Sequence, residues 1–150
     1  GRVKEAIPLL ERALRLDAQF VPVLINLGGA YVMEGRHRMA IPLLEQARQA
    51  EPDDAMIWIN LGAAYLGNPL LASSEQQKQA ILAFERALKL NPEAPNVHYN
   101  LGLIYVERGE TDRARSAFHS AVQVNPFDRD AQLWLNRLDQ AAAEAKEEEQ

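Results

Sequence analysis

Three histidines, a pair of adjacent aspartates and a thrice-repeated asparagine are the residues of this 150-residue chain whose type and spacing bear on chemistry. His37, His98 and His119 each lack a second histidine or a carboxylate at i+3 or i+4, the spacing that brings two ligands to one helix face. There is no cysteine, so disulfides, thiolate metal sites and cysteine nucleophiles are excluded. Glycine-rich phosphate loops, the nucleophile elbow and the His-Glu-x-x-His zinc motif are all missing. Asp53 and Asp54 follow Pro52 in a turn, where their carboxylates serve as helix N-caps rather than as an acid–base pair. The expectation is a chain with no catalytic residues, no metal and no cofactor.

The asparagines differ because they recur in one context. Asn26-Leu27-Gly28, Asn60-Leu61-Gly62 and Asn100-Leu101-Gly102 are each followed by a tyrosine: Tyr31, Tyr65 and Tyr105. A side-chain amide carries a donor and an acceptor together, so it can match the N–H and C=O of an extended peptide without reading its side chains. It can equally bond a neighbouring helix. Either use requires elements that bring the three asparagines into register.

Those elements are repeats. The asparagines are spaced 34 and 40 residues apart. A second series, AIPLLERAL, AIPLLEQAR, AILAFERAL and ARSAFHSAV, begins at Ala6, Ala40, Ala80 and Ala114, spaced 34, 40 and 34. Pro52, Pro92 and Pro126 are spaced 40 and 34. The series agree if the unit is 34 residues long and one copy carries six extra between Tyr65 and Ala80. Trp58, Leu61, Gly62 and Tyr65 fall at i, i+3, i+4 and i+7, one face of a helix. Ala80, Phe84 and Ala87 mark a face of a second helix. Gly35 and Gly109 punctuate the turn within a unit, and proline closes it. The unit is helix–turn–helix–turn, and the fold class is all-α. Alanine and glycine let the helices approach closely, with the tyrosines and phenylalanines filling the space beside them.

The pattern resembles the tetratricopeptide repeat (TPR) family. Its W-x2-L-G-x2-Y, A-x3-F-x2-A, P series is matched by Trp58, Leu61, Gly62, Tyr65, Ala80, Phe84, Ala87 and Pro92, and in register over residues 1–128. Leu24 and His98 replace the tryptophan, Leu10 and Leu44 the phenylalanine, and Ala18 the first proline. The resemblance implies an α-solenoid of stacked units, a right-handed superhelix whose first helices line a concave groove. The expected layout is one domain over 1–146: a half unit at 1–20 starting at the turn Gly1, full units at 21–54, 55–94 and 95–128, and a capping helix at 129–146, with an acidic tail at 147–150. In the capping helix Ala131, Leu135 and Leu138 should face the last unit.

A second stripe on the first helices then becomes the candidate binding surface. It comprises Pro22, Ile25, Asn26, Gly29, Val32 and Met33; Met56, Ile59, Asn60, Ala63 and Leu66; and Asn96, Tyr99, Asn100, Leu103, Val106 and Glu107. A helix apolar nearly all round is buried or receives a ligand. The groove reading assigns partner contact to Asn26, Asn60 and Asn100 with Ile25, Met33, Met56, Ile59, Asn96, Tyr99 and Leu103. The clamp by which co-chaperone members of the family grip a carboxylate terminus wants Lys, Asn, Lys and Arg where Ile25, Gly29, Asn96 and Asn100 stand, and only Asn60 fits it, so a neutral or apolar extended segment is expected. The inserted stretch offers Leu70 and Leu71 as a loop contact, with Ser74 and Gln77 as a capping box restarting the second helix.

The function expected is a non-catalytic module binding a protein or peptide. Its alternatives are a scaffold subunit, self-associating through the open N-terminal helix face, or the substrate-recruiting arm of a larger protein. Net charge is −5, of which residues 144–150 contribute −3, and no basic cluster suits nucleic acid. No apolar run nears the roughly 20 residues that span a bilayer. The compartment is left open by the sequence, with a soluble, cytoplasmic setting slightly favoured.

Overall fold

A computed structural model describes residues 1–148, and the last two residues of the expected acidic tail lie outside it. Eight helices occupy the described residues: α1 (Arg2–Leu16), α2 (Val21–Met33), α3 (His37–Ala50), α4 (Ala55–Leu66), α5 (Ser74–Leu90), α6 (Val97–Glu107), α7 (Thr111–Val124) and α8 (Arg129–Glu148). They form two compact units, Gly1–Ala94 with α1 to α5, and α6 to α8 from Pro95 onward.

Helix boundaries follow local chemistry. The turns between α2 and α3 and between α6 and α7 carry Gly35 at φ +72° and Gly109 at φ +70°, a backbone region open to glycine because it lacks a Cβ. Asp54 caps α4 by accepting the Met56 N–H at 2.8 Å. Pro22 sits in the first turn of α2, where its missing N–H costs nothing. His37 is the first residue of α3. The last helix continues to Glu148, past the expected end at 146, because nothing in AAAEAKEE breaks it.

Within the first unit, the core gathers Leu24, Leu27, Leu44, Ile57 and Leu61 with small residues Ala40, Ala47 and Ala64. In the second, Ala114, Phe118, Ala121 and Ala131 are buried, with Tyr99, Leu103, Trp134, Leu135 and Leu138 packed on them. Trp134, which the spacing argument passed over, stacks on Phe118 with ring centres 5.8 Å apart and planes 3° from parallel.

The small residues of the tripeptides are explained by what presses on them. A Cβ on Gly28 would stand 2.6 Å from Leu44 Cγ, and one on Gly102 would stand 2.6 Å from the Phe118 ring; one on Gly62 would collide with Phe84. The space beside each glycine is therefore filled by the second helix's leucine or phenylalanine, and the expectation that tyrosine fills it is corrected. Tyrosine instead reaches back to the preceding second helix. The Tyr31 hydroxyl donates to Glu11 at 2.6 Å, and the Tyr65 hydroxyl donates to Glu45.

The extra residues between Tyr65 and Ala80 are only partly a loop. Ala80 is the seventh residue of α5, whereas Ala40 and Ala114 are the fourth of α3 and α7, so α5 starts three residues earlier in register. Its capping box is Ser73 with Gln76: the Ser73 hydroxyl accepts the Gln76 N–H at 3.2 Å, and the Gln76 side chain accepts the Ser73 N–H at 2.9 Å. The box expected at Ser74 and Gln77 does not form. Gln77 shares the i, i+3, i+7 face of Ala80 and Phe84 and is buried, so its amide cannot swing back to the helix start.

Candidate functional site

The first helices of the Gly1–Ala94 unit meet α1 around an open cleft of about 660 Å³. One wall comes from α1, through Val3, Ala6, Leu9 and Leu10, with Arg2 at its end. The other comes from α2 and α4, through Ile25, Asn26, Gly29, Met33, Met56 and Asn60. The lining is apolar apart from one guanidinium and two amides. Met33 is 73% exposed and Met56 is 47% exposed, so two flexible thioether chains stand accessible in the cleft.

The three asparagines have three different settings. Asn26 is exposed. Asn60 is half-buried, its Nδ2 lying 3.1 Å from where a Cβ on Gly29 would be, so the amide rests on the backbone of the neighbouring first helix. Asn100 is half-buried and its Nδ2 donates to the Asn96 carbonyl at 3.0 Å. Asn96 is exposed, holds a left-handed φ of +61° and starts α6. The structure thus brings Asn26, Asn60, Ile25, Met33 and Met56 to one cleft, which Ile59, itself half-buried, does not line.

In the second unit Tyr99 meets Phe118 edge-on at 5.8 Å and 63°, and its phenol is held above the ordinary tyrosine pKa, first by burial and then by the charge of Asp130. Leu103 packs on the same Phe118 cluster. Leu66, placed on the groove stripe by spacing, is 2% exposed and belongs to the core: α4 ends there, and the side chain turns inward. In the inserted segment Leu70 and Leu71 are 72% and 80% exposed.

Sequence reasoning missed the tyrosine–glutamate bonds. Their signal was present: Glu11 and Glu45 are 34 residues apart, the period of the repeat, and each stands 20 residues before its tyrosine. Burial first, and the Glu45 carboxylate second, push the Tyr65 phenol up to about 12, against the nearby charge of Arg48. Tyr31 is raised for the same reasons, with Glu11 in place of Glu45.

Antiparallel helix pairs repeated in register, joined by glycine turns and stitched by small-to-large contacts, define a helical repeat protein. Residues 1–58 and 95–128 match models described as tetratricopeptide repeat, and 70–107 match one described as TPR repeat. The chain belongs to the tetratricopeptide repeat family, and its architecture is an all-α solenoid of that type. It is 29% identical over 137 residues to the peroxisomal targeting signal receptor of Yarrowia lipolytica, covering 89% of this chain and 22% of that protein. A solved structure of MamA AMB-1 is 30% identical, with 83% of this chain and 70% of that one covered and a TM-score of 0.66. A thermophilic TPR protein of Thermus thermophilus superposes with a TM-score of 0.75 over 95% of this chain and 75% of that one. Its identity of 24% speaks to the fold alone. The chain spans about a fifth of the length of the curated receptor that it matches.

Members of this family are typically non-catalytic, and the chain is a protein-interaction module. Among the described residues no helix is long and apolar enough to cross a membrane.

Proposed function

We propose that this module holds a segment of a protein partner in the cleft between α1, α2 and α4. The observation that carries the reading is the accessible apolar lining: Met33 and Met56 stand exposed beside the amides of Asn26 and Asn60 in a cleft of about 660 Å³. Apolar surface gathered in a concavity with a few polar groups is the composition of a recognition site. The two methionines supply adaptable contact, and the two amides orient the bound segment. The walls belong to packed helices, so little ordering is needed when a partner arrives. Asn100, Asn96, Tyr99, Leu103 and Ile59 are read as supports of their own helices, and Leu70 and Leu71 as a separate exposed contact on the inserted segment.

The test is capture from the native source with the wild-type chain beside a Met33→Glu, Met56→Glu double variant. Neither side chain belongs to the buried core, so the variant should keep its helical circular dichroism. Loss of specific partners from the variant is the expected outcome. Identical capture by both proteins sinks the reading.

A further inference from the structure

A second cavity, of about 480 Å³, lies in the Gly1–Ala94 unit and shares no residue with the cleft. Its walls are the start of α3, the end of α4 and the segment built from the extra residues before α5. Gly67, at φ +59°, turns the chain away from α4, and a Cβ there would stand 3.6 Å from His37 Cδ2, so the imidazole edge lies against that turn. Gln76 belongs to the additional turn by which α5 starts early. The cavity therefore sits where this repeat departs from the others.

The polar groups around it are biased towards donors. Arg36, His37 and Arg38 line it, and no carboxylate does. The Arg36 guanidinium lies over the Tyr31 ring at 4.4 Å, and its Nη2 donates to the Met39 sulfur at 3.1 Å, so it is held in place without a counter-ion. Neither Arg36 nor Arg38 makes an ion pair among the described residues. The Asn68 side-chain oxygen accepts the Leu70 N–H at 3.0 Å, and that of Gln76 accepts the Ser73 N–H at 2.9 Å. What these two amides have left to offer is their NH2 ends. His37 Nδ1 is buried and meets no hydrogen-bond partner within the chain.

The repeat does not need positive charge at these positions in order to fold. In the corresponding turn before α7, Glu110 and Asp112 stand where Arg36 and Arg38 stand here. Those acids are neutralised locally, Glu110 by Arg108 at 2.6 Å and Arg113 at 3.0 Å, and Asp112 by Arg115 at 3.4 Å. Two uncompensated guanidiniums in a chain of net charge −5 call for an anion from outside. The volume falls in the range of roughly 300–1,000 Å³ typical of ligand pockets, more than a lone carboxylate fills. Met39, Ile41 and Ala64 give the cavity an apolar side.

We propose that this cavity binds an acidic segment of a partner protein, its carboxylates paired with Arg36 and Arg38 and a neighbouring apolar side chain resting on Met39 and Ile41. The amides of Asn68 and Gln76 donate to the same segment. The site is independent of the cleft between α1, α2 and α4, and neither needs the other to be occupied.

The experiment titrates the full chain, at fixed ionic strength, into a labelled blocked peptide of three glutamates and two leucines with a glycine at each end, and follows anisotropy. The expected result is saturable binding, weakened at least tenfold when glutamine replaces the glutamates and at least tenfold by Arg36→Gln, Arg38→Gln in the protein. Both arginines are exposed, so helical circular dichroism should persist. Arg38→Gln alone, which disturbs no contact with Tyr31 or Met39, should already weaken binding severalfold. Lys89→Gln, Lys146→Gln makes the same change in net charge at two other exposed sites and should leave binding unchanged. Absence of saturable binding, equal binding of the neutral peptide, or equal losses in the lysine and arginine variants would each overturn the proposal. Displacement of the peptide by inorganic phosphate at equal concentration would overturn it in favour of a small-anion site. Tighter binding of a uridine octanucleotide, lost in the same arginine variant, would overturn it in favour of nucleic acid.

Discussion

Gly62 and Gly29 stand at adjacent positions of the repeat, in first helices of neighbouring units, yet they tolerate a methyl group very differently. A Cβ on Gly62 meets the Phe84 ring, a rigid group fixed on both sides by packing. Overpacking of that kind costs about 1–3 kcal/mol, against at most about 1 kcal/mol gained from replacing glycine inside a helix. Gly62→Ala should therefore lower stability by about 1–2 kcal/mol in urea unfolding. A Cβ on Gly29 meets only the tip of the Asn60 side chain at 3.1 Å, and that tip can rotate aside. Gly29→Ala should leave stability unchanged or raise it by up to about 1 kcal/mol. A loss at Gly29 equal to that at Gly62 would show that the Asn60 amide is held as firmly as the ring. The leucine and glycine of each tripeptide were legible from spacing. The asparagine was not, because one residue type at one register meets Gly29 in one copy, open space in another and its own helix start in the third.

At the scale of elements, periodicity located all eight helices but mishandled the extra residues before α5. Two overlapping boxes, Ser73-x-x-Gln76 and Ser74-x-x-Gln77, satisfy the same local rule. Only tertiary burial of Gln77 chooses between them. Ser73→Ala removes the hydroxyl that accepts the Gln76 N–H and should cost about 1 kcal/mol. Ser74→Ala, an exposed first-turn position, should change stability by less than about 0.5 kcal/mol. Reversed losses in thermal or urea unfolding would restore the later start. The last helix, α8, shows the complementary limit of pattern reading. Ala131, Leu135 and Leu138 fit a 3.6-residue period and do face α7. Trp134 lies beside that stripe, and its stacking on Phe118 depends on ring orientation, which periodicity does not encode.

For the molecule as a whole, contacts join each helix to its neighbours along the chain: α1 to α2, α2 to α3 and α4, α3 to α4, and α4 to α5 in one unit, α6 to α7 and α7 to α8 in the other. Stability in such an array accumulates from repeated local interfaces, so a contact used more than once is visible in the global unfolding curve. The tyrosine–glutamate bond is one, made by Tyr31 with Glu11 and by Tyr65 with Glu45. Folding raises both phenol pKa values above the ordinary value near 10, with Tyr65 reaching about 12. The folded state therefore holds these protons more tightly than the unfolded chain does. The stabilisation is fully present below about pH 10 and disappears as pH rises from about 10 to about 12. Tyr31→Phe, Tyr65→Phe should lower stability near neutrality, since each change removes the phenol hydrogen bond to a glutamate oxygen, although Glu45 keeps Arg48 as a donor. It should also flatten the alkaline limb, with the difference from wild type shrinking across that interval. Urea midpoints measured from pH 7 to pH 12 test both statements. An alkaline limb equally steep in the two proteins would mean that other groups, and not these two phenols, govern it.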